Sequence, residues 1–203
     1  MNALLIIDVQ NDFIPGGSLA VPGGDEIVPV INGLMGRFEL VLATQDWHPQ
    51  DHMSFASNHK GKKPFEEIVH QGLDQILWPD HCVQGTSGAA FHPDLNANPI
   101  EAIFRKGMDR DIDSYSGFYD NGHKKSTGLT GYLKEKGDPV IYCCGLAADV
   151  CVYFTLKDAL QEGFEVTLIS DATRALDDEK FAEMEKELVS LGMESVESRE
   201  LTF

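Results

Sequence analysis

Pro139-Val140-Ile141-Tyr142-Cys143-Cys144-Gly145-Leu146-Ala147-Ala148-Asp149-Val150-Cys151-Val152 is the stretch whose reading decides the fold. Pro139–Cys144 is an apolar run of strand length, Gly145–Ala148 is a turn of small residues, and a helix opens near Cys151 and runs to Glu162, where Gly163 stops it. This reading sets a thiol at or beside the first turn of a helix. Free N–H groups and the positive end of the helix dipole there favour thiolate over thiol. The same N–H groups can hold an oxyanion.

Working outward, the pattern repeats. Ala3–Ile7 is a continuous apolar strand, and Asp25–Phe38 is a helix with Ile27, Ile31, Leu34, Met35 and Phe38 on one face. Leu40–Ala43, Ala102–Phe104 and Glu165–Ile169 read as further strands, and Ser195–Ser198 as a sixth. Ser126 is expected to cap a short helix bearing Leu129, Tyr132 and Leu133, with Gly137 as its stop; Asp177–Leu191 is a helix ended by Gly192. Apolar strands alternating with helices predict an α/β protein with a parallel sheet covered on both faces. The long segment from Gln45 to Pro99 reads as elaborated loops with one short helix around Phe65–Ile68, and loops of that length are usually functional. No repeat or linker divides the chain, so residues 1–203 are expected to form one domain.

Lys and Arg total 16 against 33 Asp and Glu, a formal net charge of −17, which argues against nucleic acid or an anionic membrane as partner. No apolar stretch approaches membrane-spanning length, and the N-terminal run is cut short by Asp8. The four cysteines, Cys82, Cys143, Cys144 and Cys151, form no spaced disulfide framework, so a reducing, cytoplasmic setting is expected. A homo-oligomer is compatible with this composition.

Ligands of open parallel sheets bind outside the carboxyl ends of the strands. Asp8 ends the first strand, Asp46 the second, Lys106 follows the third, and Cys151 lies across the turn after the fourth, so all four should gather at one rim. Asp8 is either a turn-capping residue or a buried carboxylate serving as general base. Lys106 is either a strand-end surface lysine or an ammonium that pairs with Asp8 and steadies the thiolate. Asp12 reads as a turn residue. Asp46 and His48 alternate on an extended segment, and His81 lies in the same loop region; they are solvated loop residues or three ligands for Zn²⁺ or Fe²⁺ with open positions. His52 lies within reach of them but outside the firm set, and His59, His70, His92 and His123 read as surface or structural. Phe13 and Trp78 either pack in the core or wall a flat ring.

These segments resemble one family. Leu5-Ile6-Ile7-Asp8-Val9-Gln10-Asn11-Asp12-Phe13, Thr44-Gln45-Asp46-Trp47-His48-Pro49, Trp78-Pro79-Asp80-His81-Cys82-Val83-Gln84-Gly85-Thr86, Arg105-Lys106-Gly107 and Gly145–Val152 are similar to the nicotinamidase/pyrazinamidase branch of the isochorismatase-like cysteine hydrolases. The resemblance implies a three-layer α/β/α fold with a mostly parallel six-stranded sheet. It implies a catalytic triad of Asp8, Lys106 and Cys151, and an oxyanion hole from the N–H groups of Ala147 and Cys151 with a cis peptide at Leu146–Ala147. It further implies substrate contacts from Phe13, Trp78 and Ala147, and a divalent metal, foremost Zn²⁺ with Fe²⁺ or Mn²⁺ as alternatives, on Asp46, His48 and His81. The implied reaction is hydrolysis of nicotinamide, and of pyrazinamide, through a cysteine thioester in NAD salvage. Two other readings stand beside it: an amidohydrolase of the same fold acting on a carbamoyl or ureido compound, and a non-catalytic metal-binding or redox-sensing protein using Cys151 as sensor.

Overall fold

The computed structural model describes residues 1–203. Its elements in chain order are β1 Asn2–Ile7, α1 Ile27–Leu34, β2 Leu40–Asp46, β3 Glu67–His70, β4 Leu73–Ile76, β5 Ala102–Lys106, α2 Leu129–Glu135, β6 Val140–Gly145, α3 Tyr153–Gln161, β7 Val166–Thr173, α4 Asp178–Ser190 and β8 Glu194–Val196. Six strands form one sheet in the order β5-β2-β1-β6-β7-β8, and every neighbouring pair is parallel. Helices flank the sheet, giving three layers: α1 packs on β7, and α3 packs on both β7 and α4. Residues Ala3–Ile7 of β1 are all buried, as a central strand covered on both faces requires. No helix is long and apolar enough to cross a membrane.

The strand order places the functional edge. The chain builds outward from β1 through β2 to β5, then returns to add β6, β7 and β8 on the other side of β1. The order reverses between β1 and β6, whose carboxyl ends carry Asp8 and the turn to Cys151. A crevice at such a reversal is where open α/β sheets bind ligands.

Several expected elements differ in detail. The segment around Phe65–Ile68 is not helical: β3 and β4 pair antiparallel, from Glu67↔Ile76 to His70↔Leu73, as a hairpin outside the main sheet. Its two-residue loop is Gln71-Gly72, both with positive φ (50° and 82°), the backbone that matches the twist of paired strands. The first helix is shorter than Asp25–Phe38, because tight 3₁₀ turns at Gly24–Glu26 and Met35–Arg37 flank α1. Ser126 does not cap α2 directly. Its Oγ accepts from the N–H of Gly128, and Thr127 Oγ1 accepts from Leu129 N–H at the helix start. The helix at Asp177 begins as expected, with the Asp177 carboxylate accepting from Lys180 N–H.

Candidate active site

Asp8 is the first residue past β1 and takes a left-handed backbone, φ 48°, that turns its carboxylate inward. It is fully buried. Oδ1 accepts from Thr44 Oγ1–H at 2.7 Å, while Oδ2 meets Lys106 Nζ at 2.9 Å, an ion-pair contact without a directed hydrogen bond. Lys106 ends β5 in register with Asp46 at the end of β2, so adjacent parallel strands deliver both side chains to one spot. Its neighbour Arg105 is exposed, over the Trp47 ring, as strand alternation requires. The Lys106 ammonium donates to Asp46 Oδ1 (3.0 Å), Ser114 O (3.0 Å) and Cys151 Sγ (3.4 Å) besides contacting Asp8.

One ammonium therefore serves two carboxylates. Burial lowers the proton affinity of Lys106, but the charges of Asp46 and Asp8 outweigh it and hold the amine protonated well beyond the ordinary lysine range. Asp46 is also buried, yet His48 and Lys106 overcome desolvation and keep its carboxyl well below the usual range. Asp8 goes the other way: burial raises it, the Lys106 charge only partly compensates, and the Asp46 charge pushes further upward. Of the two carboxylates, Asp8 is the one adapted to receive a proton.

Cys151 lies beyond the sheet edge. Gly145 ends β6 with φ 119°, and a Cβ there would stand 2.0 Å from the Ile7 carbonyl oxygen, so only glycine lets β6 run this close to β1. Leu146 N–H donates to Ile7 O at 2.8 Å, and the Leu146–Ala147 peptide is cis. The helix does not open at Cys151. One wide π-helical turn spans Ala148–Val152, with Val152 N–H donating to Ala147 O at 3.1 Å, and the α-helix starts at Tyr153. The Ala147 N–H has no partner within the chain. Asp149 Oδ1 accepts from Leu176 N–H at 2.9 Å and anchors the turn.

The thiol state departs from the sequence reading. Burial pushes the Cys151 thiol well above its ordinary value; the Lys106 charge opposes this, and the Asp8 and Asp46 charges reinforce it. Burial therefore favours the thiol over the thiolate. The helix-start argument fails because Cys151 sits inside the wide turn and is only 6% exposed, so desolvation outweighs the dipole.

Asp46, His48 and His81 are all buried, with ligating atoms within 4.8 Å of one another. His48 Nδ1–H donates to Gly107 O at 2.9 Å, and His81 Nδ1–H to Pro79 O at 2.8 Å. These carbonyls fix the tautomers and leave both Nε2 lone pairs facing Asp46 Oδ2, at 2.9 and 3.4 Å. Two imidazole nitrogens and a carboxylate oxygen thus converge on one buried point, where a proton on His48 or a bound cation can balance the Asp46 charge. Burial lowers the proton affinity of His48, but the charge and hydrogen bond of Asp46 outweigh it and raise it above the ordinary histidine value. The donor set therefore fits a divalent metal of the zinc type.

Neighbouring residues hold this set. Gln10 clamps the Asp46 peptide from both sides, its Oε1 accepting from Asp46 N–H (2.7 Å) and its Nε2 donating to Asp46 O (2.8 Å). Asp12, read as a turn residue, reaches farther: Oδ2 accepts from Cys82 N–H at 2.7 Å, next to His81. His52 is buried, its ring 4.3 Å from that of His48, and forms a second group with His48 and Asp113. His59, His70, His92 and His123 do not join either group.

A small cavity opens over these atoms. Phe13, Trp78, Ala147, Val150 and Cys151 line it, with Asp46, His48 and His81 on its polar side. Tyr115 and Asp113 also line it, and neither was singled out from the sequence. They lie in Ile112-Asp113-Ser114-Tyr115-Ser116, which has no helical or strand periodicity to mark it.

The isochorismatase domain model matches residues 2–199. The chain is 46% identical over 200 residues to a nicotinamidase of Acinetobacter baylyi, covering 98% of this chain and 94% of that one. It is similar to the solved nicotinamidase/pyrazinamidase of Acinetobacter baumanii with a TM-score of 0.95 and 48% identity, over 99% and 98% of the two chains. A pyrazinamidase of Pyrococcus horikoshii, solved in complex with zinc, superposes with a TM-score of 0.80 at 36% identity, over 97% and 98%. With the domain matched almost end to end and relatives this similar, the chain belongs to the isochorismatase family, on its nicotinamidase/pyrazinamidase branch.

Proposed function

We propose that residues 1–203 act as one catalytic domain, a metal-dependent amidohydrolase that converts nicotinamide to nicotinate and ammonia and also accepts pyrazinamide. The observation that carries the reading is the Lys106 ammonium, which touches Asp8, Asp46 and Cys151 at once. It joins a nucleophile–base pair to a metal-ligand set at the edge of one aromatic-lined cavity.

The chemistry follows from these positions. Asp8 removes the Cys151 proton as Sγ attacks the carboxamide carbon, so the costly buried thiolate forms only in the transition state. The raised proton affinity of Asp8 suits this transfer, and a positioned base contributes about 10²–10⁴ in rate. The Ala147 and Cys151 N–H groups receive the developing oxyanion, worth about 10²–10³ per donor. The tetrahedral intermediate collapses as Asp8 returns the proton to the departing nitrogen, releasing ammonia and leaving a thioester on Sγ. Water, deprotonated by Asp8, attacks that carbonyl; the C–S bond breaks, and Sγ regains its proton. Lys106 stays charged throughout and holds the two carboxylates apart.

Asp46, His48 and His81 would hold one divalent ion, Zn²⁺ foremost with Fe²⁺ or Mn²⁺ as alternatives, which when bound supplies a Lewis-acid contact for the pyridine nitrogen. Phe13 and Trp78 pack on the ring, and a ring fixed against Cys151 reduces the entropic part of the barrier. The four free cysteines fit a reducing, cytoplasmic enzyme, and the product nicotinate suits NAD salvage.

The test is ammonia release from nicotinamide and pyrazinamide by purified protein, before and after chelation. Turnover is expected, with KM rising on chelation and recovering with Zn²⁺, Fe²⁺ or Mn²⁺. Cys151→Ala should bind nicotinamide and release no ammonia. Ammonia release by that variant would eliminate Cys151 as nucleophile, and activity only on ureido compounds would overturn the substrate assignment.

A further inference from the structure

The β3–β4 hairpin stands outside the main sheet, and its strands are exposed or half-buried at every position except Gln75. Gln75 is 5% exposed. The one residue a hairpin buries is normally apolar, since a buried amide without partners costs stability. Here the amide has partners at the cavity. Gln75 Nε2 donates to Asp113 Oδ2 at 2.9 Å and to the Tyr115 hydroxyl oxygen at 3.1 Å, besides the carbonyl of Ile76 at 2.7 Å.

Both distal partners line the cavity. Tyr115 packs edge-on against Trp78, with ring centroids 6.1 Å apart, and in a tilted arrangement against Phe154 at 5.3 Å. Asp113 Oδ1 accepts from Ser114 N–H at 2.8 Å, and Ser114 O accepts from Lys106 Nζ. Asp113 also belongs to the group formed with His48 and His52. The amide thus ties a peripheral hairpin to the cavity wall and, through Asp113 and Ser114, to the ammonium.

We propose that Gln75 is a positioning residue: it fixes the Tyr115–Trp78 wall and the Asp113 carboxylate so that the cavity is preformed for a flat aromatic carboxamide. The inference rests on the reading of this cavity as the ring site. Gln75 touches no reacting atom. Without its donors the Asp113 carboxylate loses a buried partner and the Tyr115 ring loses its tether. The wall then becomes mobile at the place where the ring must be held, which weakens binding more than the chemical step.

The experiment compares wild type with Gln75→Met, which keeps side-chain length and removes both donors. Gln75→Asn, which keeps the amide but shortens its reach, should fall between them. Ammonia release gives KM and kcat for nicotinamide, quenching of tryptophan fluorescence gives nicotinate affinity, and thermal unfolding reports the fold. The expected result is a KM raised roughly tenfold with nicotinate affinity weakened to match, while kcat stays within about threefold. An unchanged KM in Gln75→Met would overturn the proposal. So would kcat falling together with Tm at constant KM, the signature of a merely structural pin. If Gln75→Met is insoluble, Gln75→Asn decides by the same criteria. Wild type that binds nicotinate but releases no ammonia would overturn the activity reading, with nicotinate affinity still deciding Gln75; wild type that does neither would overturn both.

Discussion

Gly107→Ala is the most discriminating single change for the metal-ligand set. Gly107 directly follows β5 with φ 65°, and its carbonyl accepts the His48 Nδ1 proton at 2.9 Å. A Cβ at this position would lie 2.3 Å from His48 Cε1, 2.6 Å from Nδ1 and 3.1 Å from Asp46 Oδ1. Carbon atoms rest about 3.5 Å apart, so the ring or the backbone must yield by about 1 Å. Either movement breaks the carbonyl contact or swings Nε2 away from Asp46. The left-handed backbone adds about 1–2 kcal/mol of its own. Loss of a carbonyl that orients a metal-bound imidazole typically costs 10–100-fold in metal affinity, about 1.4–2.8 kcal/mol. The control is Gly61→Ala, which has φ 82° and open space around its Cβ, so it bears only the backbone cost. The assay is zinc competition against a chromophoric chelator, with thermal unfolding of both apo-proteins alongside. Gly107→Ala should lose at least tenfold in zinc affinity and Gly61→Ala less than twofold. Equal zinc affinity in the two variants would refute the assignment of His48 as a ligand held by this carbonyl.

Asp8→Asn should abolish turnover yet not destabilise the protein at neutral pH. Because burial raises the Asp8 carboxyl, the native state holds a proton that the unfolded chain has released, so wild-type stability declines as pH rises from the ordinary carboxylate range through the raised value. The variant should lack that decline in unfolding scans across acidic pH, and a parallel decline would contradict the raised value. Iodoacetamide should label Cys151 slowly at pH 7, with a rate that climbs without levelling through about pH 9, because burial keeps the sulfur protonated; mass spectrometry showing a plateau below neutral pH would mean a resting thiolate. Gly145→Ala should prevent soluble folding, since its Cβ would collide with the Ile7 carbonyl where β1 and β6 pair; a folded variant with wild-type Tm would show that the strand ends can separate freely.

The alternation of strands and helices, the last helix from Asp177 to its stop at Gly192 and the chemistry at the strand ends were legible in the residues, because hydrophobic periodicity and breaker signals act over a few neighbours. Asp8, Asp46, Lys106 and Cys151 were predicted to meet because parallel strands share one carboxyl edge, and they do. The hairpin at Glu67–Ile76 was missed although Gln71-Gly72 carried the turn signal, since its polar, exposed strands show no clean alternation. Other features depend on atoms distant in sequence. Lys106 is shared between Asp8 and Asp46 because β5 lies beside β2 and β2 beside β1. Tyr115 and Asp113 become cavity residues because a loop without periodicity is held there by Gln75 and Asn121. Burial, which no local stretch encodes, favours the thiol form of Cys151 against the helix dipole. Local order was thus written in neighbouring side chains, whereas proton placement and cavity shape arose from desolvation and long-range contact, which exist only once the chain has closed on itself.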